Sequence, residues 1–205
     1  MLQPVVDYWL ATDRFEKIQG FLDPIEGYAL MLMAAYGPGR GAVVEIGSLY
    51  GKSTCYLAEG SRKAGRGPIH AVDTFAGSAE HQAGQPGEQK ELLNEKTTFK
   101  AFLRNLASMR LDDWVKPQVG TSTAIGVVWD QPIRLLFIDG DHSYEGSKQD
   151  FDTWSSHVSP NGLVAFHDVG TWEGVTQFYA ELMGRASGFK ETLAVATLRV
   201  AQRVG

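Results

Sequence analysis

Short apolar runs alternate with amphipathic stretches along most of this chain. Residues 43–46, 69–72, 114–119, 133–138 and 163–166 read as five strands, rich in valine, isoleucine and leucine. The fourth is apolar but for Arg134, as expected of a strand buried on both faces. Between them the pattern predicts helices over 53–63, 91–109, 144–157 and 174–185. The second rests on the near-helical spacing of Leu92, Phe99, Phe102, Leu103 and Leu106. Residues 189–200 supply one or two closing strands. Ahead of the first strand, Tyr8, Trp9 and Phe15 sit in a helical pattern that Gly20 breaks. Asp23-Pro24 then opens another helix, as N-cap and first-turn residues. It runs through Tyr28, Leu30, Met31 and Met33 to Gly37-Pro38-Gly39, and its apolar positions are read as core. A long Gly-rich polar loop occupies 75–89, and Ser159-Pro160-Asn161-Gly162 reads as a turn.

Strands separated by helices predict an α/β fold, a doubly wound and mostly parallel sheet of about seven strands with helices on both faces. The 205 residues suit one domain spanning 1–205. Net charge is −5 with acids and bases interspersed, and no basic stripe points to nucleic acid. Residues 62–66, the most basic stretch, read as a helix end. Cys55 is the only cysteine, which excludes a disulfide within the chain and favours a reducing compartment. It reads as a small buried residue. Asp7 and Asp13 stand where a secretory leader would be basic, and the apolar runs fall far short of the roughly 20 residues that span a bilayer. A cytoplasmic protein with no membrane partner is expected.

In such sheets ligands sit beyond the carboxyl ends of the strands. The chain places polar residues there repeatedly: Glu45 and Gly47 at the first strand, Asp73 at the second, Thr121 and Ser122 at the third. Asp139 and His142 follow the fourth, and His167 and Asp168 the fifth. Any one acid could be a helix cap; the recurrence is the signal. The first turn has three readings. Gly51-Lys52-Ser53 imitates the end of a phosphate-binding loop, but a Walker A loop needs G-x-x-x-x-G-K-[ST]. Only three residues separate Gly47 from Gly51. Leu135 to Asp139 imitates its second motif, a common pattern. A dinucleotide fingerprint, G-x-G-x-x-G, fails at Leu49. Adenosylmethionine fits better. It lacks phosphate, needs a glycine turn at its methionine part, and presents two ribose hydroxyls to an acceptor such as Asp73. Phe75 is expected either to pack on adenine or to anchor its loop. Thr121 and Ser122 are read either as cofactor contacts or as helix caps.

The segments VVEIGSLYGKST, HAVDTFAG, LLFIDGDHSYEG and SPNGLVAFHDV occur in this order between Val43 and Val169. Together they resemble class I S-adenosylmethionine-dependent methyltransferases with a Rossmann-like fold. The likeness is to small O-methyltransferases related to the macrocin and mycinamicin sugar methyltransferases and, more distantly, to catechol O-methyltransferase. The resemblance implies a helical lid over 1–40, a cofactor-binding core over 41–205, and S-adenosylmethionine as cofactor. It assigns Glu45, Gly47, Ser53, Asp73, Phe75, Ser122 and Asp139 to cofactor binding, with Ser53 near the cofactor carboxylate and Lys52 facing solvent.

It further implies a divalent metal, magnesium by preference, held by Asp139, His167 and Asp168. Relatives place a carboxylate where His167 stands, so a second-line or basic role for His167 is the alternative. His142, three residues past Asp139, is the expected general base; capping the next helix is its alternative. Asp141 and Tyr144 are expected at the same entrance. His81 is read as a solvated loop residue, and His70 and His157 as structural. The polar loop, with Glu80, His81, Gln82 and Gln85, suits a hydroxyl-rich acceptor such as a sugar, glycoside or oligosaccharide. A catechol-like phenol and a non-catalytic adenosylmethionine-binding protein are the other readings. The apolar N-terminal helices suit a homodimer contact.

Overall fold

The computed structural model describes residues 3–78, 81–85 and 88–204. Its strands are β1 (Ala42–Ile46), β2 (Ile69–Asp73), β3 (Val115–Val119), β4 (Ile133–Ile138), β5 (Val158–Phe166), β6 (Phe189–Val195) and β7 (Leu198–Arg203). They form one seven-stranded sheet in the order β3-β2-β1-β4-β5-β7-β6. The first five run parallel, while β7 lies antiparallel to β5 and β6 antiparallel to β7. The helices are α1 (Gln3–Phe15), α2 (Pro24–Tyr36), α3 (Lys52–Lys63), α4 (Lys90–Glu95), α5 (Phe99–Ser108), α6 (Ser122–Gly126), α7 (Tyr144–Trp154) and α8 (Glu173–Gly184).

The period of two along the central strands sends alternate side chains into two separate cores. Val43, Leu135 and Phe137 join α2, α3 and α5 through Leu30, Leu57 and Phe102. Val44, Leu136 and Ile138 join α7 and α8 through Phe151, Trp154 and Phe178. A parallel sheet is stable only with both faces covered, which is why Val43 and Val44 of β1 and Leu135 to Ile138 of β4 are apolar at successive positions. Asp23 caps α2 as expected: its carboxylate accepts from Ile25 N at 2.9 Å, and Glu26 accepts from Asp23 N at 3.1 Å. Such a reciprocal cap stabilises a helix by about 1 kcal/mol. Cys55 is fully buried, and burial pushes its thiol up.

Several expectations need correction. The helix read over 91–109 is two helices. Lys96 turns left-handed at φ +56°, and Thr98 N donates to Phe75 O at 2.9 Å, fastening the break to the loop after β2. The turn read at Ser159–Gly162 is absorbed into β5 as an irregularity opposite Ile133/Leu135, with Asn161 at φ +64°. Residues 112–114 and 155–157 are single 3₁₀ turns, ahead of β3 and β5 respectively. No described helix is long and apolar enough to cross a membrane.

Candidate active site

After β1 the chain must reverse within a few residues to start α3. Gly47 takes φ +84° and Gly51 φ +85°. A β-carbon on Gly47 would stand 2.0 Å from the Asp139 carbonyl oxygen, so only glycine lets the turn touch the end of β4. Asp73 pins this turn. Its Oδ2 accepts from Ser48 N and Leu49 N, both at 2.8 Å, and its Oδ1 from Phe75 N at 2.7 Å.

Glu45 does not reach the cavity. It is fully buried behind the turn, accepting from Ser53 Oγ at 2.6 Å, Ser48 Oγ at 2.7 Å and Thr54 Oγ1 at 2.5 Å. Burial pushes its carboxyl up to about 7, against the pull of those hydroxyls. It braces Ser53, which does line the cavity. Lys52, expected in solvent, is buried: its Nζ lies 2.8 Å from Glu16 Oε2 and donates to Leu22 O at 2.9 Å. Phe75 is likewise turned away from the cavity. Its ring is 1% exposed and packs at 4.8 Å on Phe99 and 4.9 Å on Phe102, so it anchors its loop.

At the ends of β4 and β5 three groups converge. Oxygens of Asp139 and Asp168 and a ring nitrogen of His142 all lie within 4.8 Å of one another. His142 Nε2 is 3.4 Å from Asp168 Oδ2 and 3.9 Å from Asp139 Oδ1, and its ring stacks on Trp172 at 4.9 Å. Asp168 reaches this position from a left-handed backbone, φ +63°, a strained geometry of the kind found at functional sites.

His167 lies beneath this cluster, 4% exposed. Its Nδ1 is 3.1 Å from Asp139 Oδ1 and 3.4 Å from Asp168 Oδ2, and its Nε2 is 3.0 Å from Glu26 Oε2. Burial alone would lower its pKa, but the three carboxylates overcome this and raise it well above the usual histidine range. Burial likewise opposes ionisation of Asp139 and Glu26, yet pairing with His167 holds both at about 2. An imidazolium donating from both nitrogens has no lone pair for a metal. So placed, His167 buttresses Asp139 and Asp168, the alternative role read for it from the sequence, and His142 stands beside the two aspartates. Glu26 Oε1 in turn accepts from Thr197 N at 2.7 Å, Thr197 Oγ1 at 2.8 Å and Leu198 N at 3.0 Å.

One cavity of about 920 Å³ connects these parts. Gly47, Ser53, Asp73, Ser122, Asp139, His142, His167 and Asp168 all border it. The link between α1 and α2 closes one side through Gln19, Phe21 and Leu22. His81 is not solvated: it is 9% exposed, its Nδ1 lies 3.0 Å from Ser78 Oγ, and its ring stacks with Phe21 at 6.2 Å. Asp141 borders the cavity, while the Tyr144 hydroxyl donates to Glu181 instead. Glu80 lies outside the described residues. His70 packs edge-on against Trp129 at 4.8 Å, away from the site. Ser122 borders the cavity and also accepts from Trp154 Nε1 at 2.8 Å; Thr121 caps α6 by accepting from Ala124 N.

Sequence reasoning missed Glu26, Trp172 and Asp150. For Asp150 a signal existed. Ser147, Asp150, Phe151 and Trp154 form the buried face of α7 at helical spacing, so a carboxylate stood on a core face. Glu26 was visible only as the third residue of a capping box.

A glycine turn after the first strand, an acid after the second, and an acid–histidine cluster after the fourth and fifth define an α/β protein built around a ligand at the strand ends. Residues 44–169 match the family described as a methyltransferase domain, and the chain belongs to that family. Uncharacterized protein y4gI of Sinorhizobium fredii is 32% identical over 164 residues, covering 76% of this chain; the chain spans 16% of that relative's length. The fold is shared with solved structures. The O-methyltransferase from Bacillus cereus in complex with SAH has a TM-score of 0.65 at 17% identity, over 98% of this chain and 90% of that one. The O-methyltransferase TomG from Streptomyces achromogenes, in complex with SAM, has a TM-score of 0.63 at 17% identity, over 98% and 90%.

Proposed function

We propose that the protein is an S-adenosylmethionine-dependent O-methyltransferase, assisted by a divalent metal, that methylates a hydroxyl of a sugar or glycoside. The observation that carries this reading is the convergence of Asp139, His142 and Asp168 in the same cavity as the Gly47 turn and Asp73. The cavity has the volume of a site for a ligand of cofactor size. The donor set fits the parts of the methyl donor: backbone at the turn for its methionine end and a carboxylate for its ribose. The O-methyltransferases of similar fold bound to SAH or SAM support the same cofactor.

In this reading Asp139 and Asp168 hold the metal, their hard oxygens suiting magnesium. When bound, the metal polarises the acceptor hydroxyl and orients it. His142, stacked on Trp172 and directed at Asp168, takes the hydroxyl proton. The acceptor oxygen bonds to the methyl carbon as the carbon–sulfur bond breaks, leaving S-adenosylhomocysteine. His167, itself held by Glu26, keeps Asp139 ionised and lies beside Asp168. Polar groups around the mouth, Gln19, Ser78 and Thr171 among them, suit a hydroxyl-rich acceptor. A catechol-like phenol is the second reading, favoured by the exposed rings of Phe21 and Trp172 at the same cavity. Val5, Val6, Trp9 and Leu10 leave an apolar surface on α1 that suits a homodimer contact.

The test is a methyl-transfer screen of sugars and phenols with isotopically labelled adenosylmethionine, with and without magnesium. Label in a glycoside, suppressed by EDTA and restored by magnesium, is the expected result. Transfer to phenols alone overturns the sugar reading, and full activity after exhaustive chelation removes the metal. Binding of the donor with no labelled product from any acceptor points to a sensor.

A further inference from the structure

The lysine that makes the turn after β1 imitate a phosphate loop takes no part in the chemistry above. Lys52 opens α3, between Gly51 and Ser53, and borders the cavity. Its side chain is buried and its ammonium is committed to protein groups. Nζ lies 2.8 Å from Glu16 Oε2 and donates to Leu22 O at 2.9 Å. Those partners are the two ends of the link between α1 and α2. Gly20, within the link, lies against the lysine stem: a β-carbon there would stand 3.2 Å from Lys52 Cβ and Cδ. The link is thus wrapped around one side chain. One turn further along α3, the Tyr56 hydroxyl donates to the other oxygen of Glu16 at 3.2 Å.

The wrapped segment is also a wall of the site. Gln19, Phe21 and Leu22 border the cavity, as does Asp23, which caps α2. Gln19 Nε2 donates to Gln89 Oε1 at 2.6 Å and Phe21 stacks with His81, so the link also meets the loop after β2. One turn into α2, Glu26 holds His167. Lys52 therefore joins the glycine turn to the wall and, through α2, to the acid–histidine cluster. Resting on the cofactor reading above, the methionine end of the donor sits on that turn and fixes the start of α3. We propose that Lys52 is a positioning residue that couples the two halves of the site. Filling the turn with the donor steadies Lys52, and through Glu16 and Leu22 O it steadies the link that walls the acceptor. By reciprocity, an acceptor held against the wall tightens the donor. Ordering at one place lowers the entropic cost of ordering at the other, with no large movement required.

The test is hydrogen exchange, followed by mass spectrometry of peptides within 16–23, with and without saturating S-adenosylhomocysteine. No acceptor, metal or turnover is needed. In the unaltered protein the ligand should slow exchange in the link by about 10-fold, within the usual range of coupling between sites. Lys52→Met keeps the stem and removes the ammonium. It should bind the ligand and show slowed exchange over 47–51, but the link should be slowed by less than about 2-fold. Lys52→Arg, a cation that can still donate to both partners, should bring the slowing back. A lysine that merely props the link would raise its exchange in Lys52→Met equally with and without ligand, leaving the slowing at the parent's value; that result overturns the inference. Lys52→Gln, too short to reach both partners, takes the same test should Lys52→Met fail to fold. Calorimetry on the unaltered protein separates the two readings. Absence of binding overturns the cofactor reading and this inference with it, whereas binding that leaves the link's exchange unchanged overturns this inference alone.

Discussion

Exchanging Glu45 for glutamine should make the protein more stable at alkaline than at acid pH relative to its parent. Glu45 is fully buried, and its carboxyl is pushed from the ordinary 4.5 to about 7. Because the folded value is the higher one, the contribution is fully present below about pH 4.5 and is lost as pH rises through about 7. At about 1.4 kcal/mol per tenfold change in the proton equilibrium, the difference is about 3 kcal/mol. Glutamine keeps an oxygen for Ser48 Oγ and Thr54 Oγ1, which share Oε2, and its amide donates to Ser53 Oγ, which then accepts. The stability of Glu45→Gln relative to the parent should therefore rise by up to about 3 kcal/mol between about pH 5 and about pH 8. Glu26 and Asp139, held at about 2, lose their stabilising contribution only as pH falls towards that value, outside this window. Asp150 titrates in both proteins and cancels. Urea denaturation followed by tryptophan fluorescence reports the difference, since Trp154 is fully buried. A difference that stays flat across this range would refute the reasoning. Glu45→Ala, by contrast, strands three hydroxyls and opens a cavity, costing about 3 kcal/mol or more at any pH.

Replacing His142 by alanine should lower turnover by about 100- to 10,000-fold while S-adenosylhomocysteine still binds within a few-fold, read by labelled methyl transfer and calorimetry. Glu16→Ala should destabilise by about 3 kcal/mol and Lys52→Met by less than about 1, because the first strands a buried ammonium and the second leaves a partly exposed carboxylate; matching denaturation midpoints would contradict this. Manganese should raise the melting temperature of the unaltered protein, and Asp168→Asn should weaken that response at least about tenfold in the metal concentration required.

The sheet was legible because its central strands are apolar on both faces: β1, β2 and β4 fall within one residue of the bounds read from the sequence. The break between α4 and α5 was hidden, since Leu92 and Phe99 keep near-helical spacing across Lys96, and nothing local announces a lysine at φ +56°. Proline and glycine at Pro160 and Gly162 suggested a turn, yet pairing on either side carries β5 through the irregularity. At the site, residue types marked the strand ends, but partners did not. The partners of His167 and Lys52 were hidden because the carboxylates that engage them, Glu26 and Glu16, lie far away in sequence. Nothing local decided between the two readings of Phe75, because the rings that claim it, Phe99 and Phe102, stand on a later helix.

Glu26 bonds His167 across 141 positions and Thr197 across 171. Closing loops of that length carries an entropic penalty that local contacts do not, so such contacts form late in folding. The acid–histidine cluster therefore acquires its final charge arrangement only when α2, the end of β5 and the β6–β7 hairpin have all docked. A chain nicked between α2 and β1 has the carboxylate that holds His167 on a separate piece, and one whose hairpin has come away loses the Thr197 and Leu198 donors that hold Glu26. In the proposed mechanism, methyl transfer would thus report completion of the whole fold, and a partly assembled chain is expected to be inert.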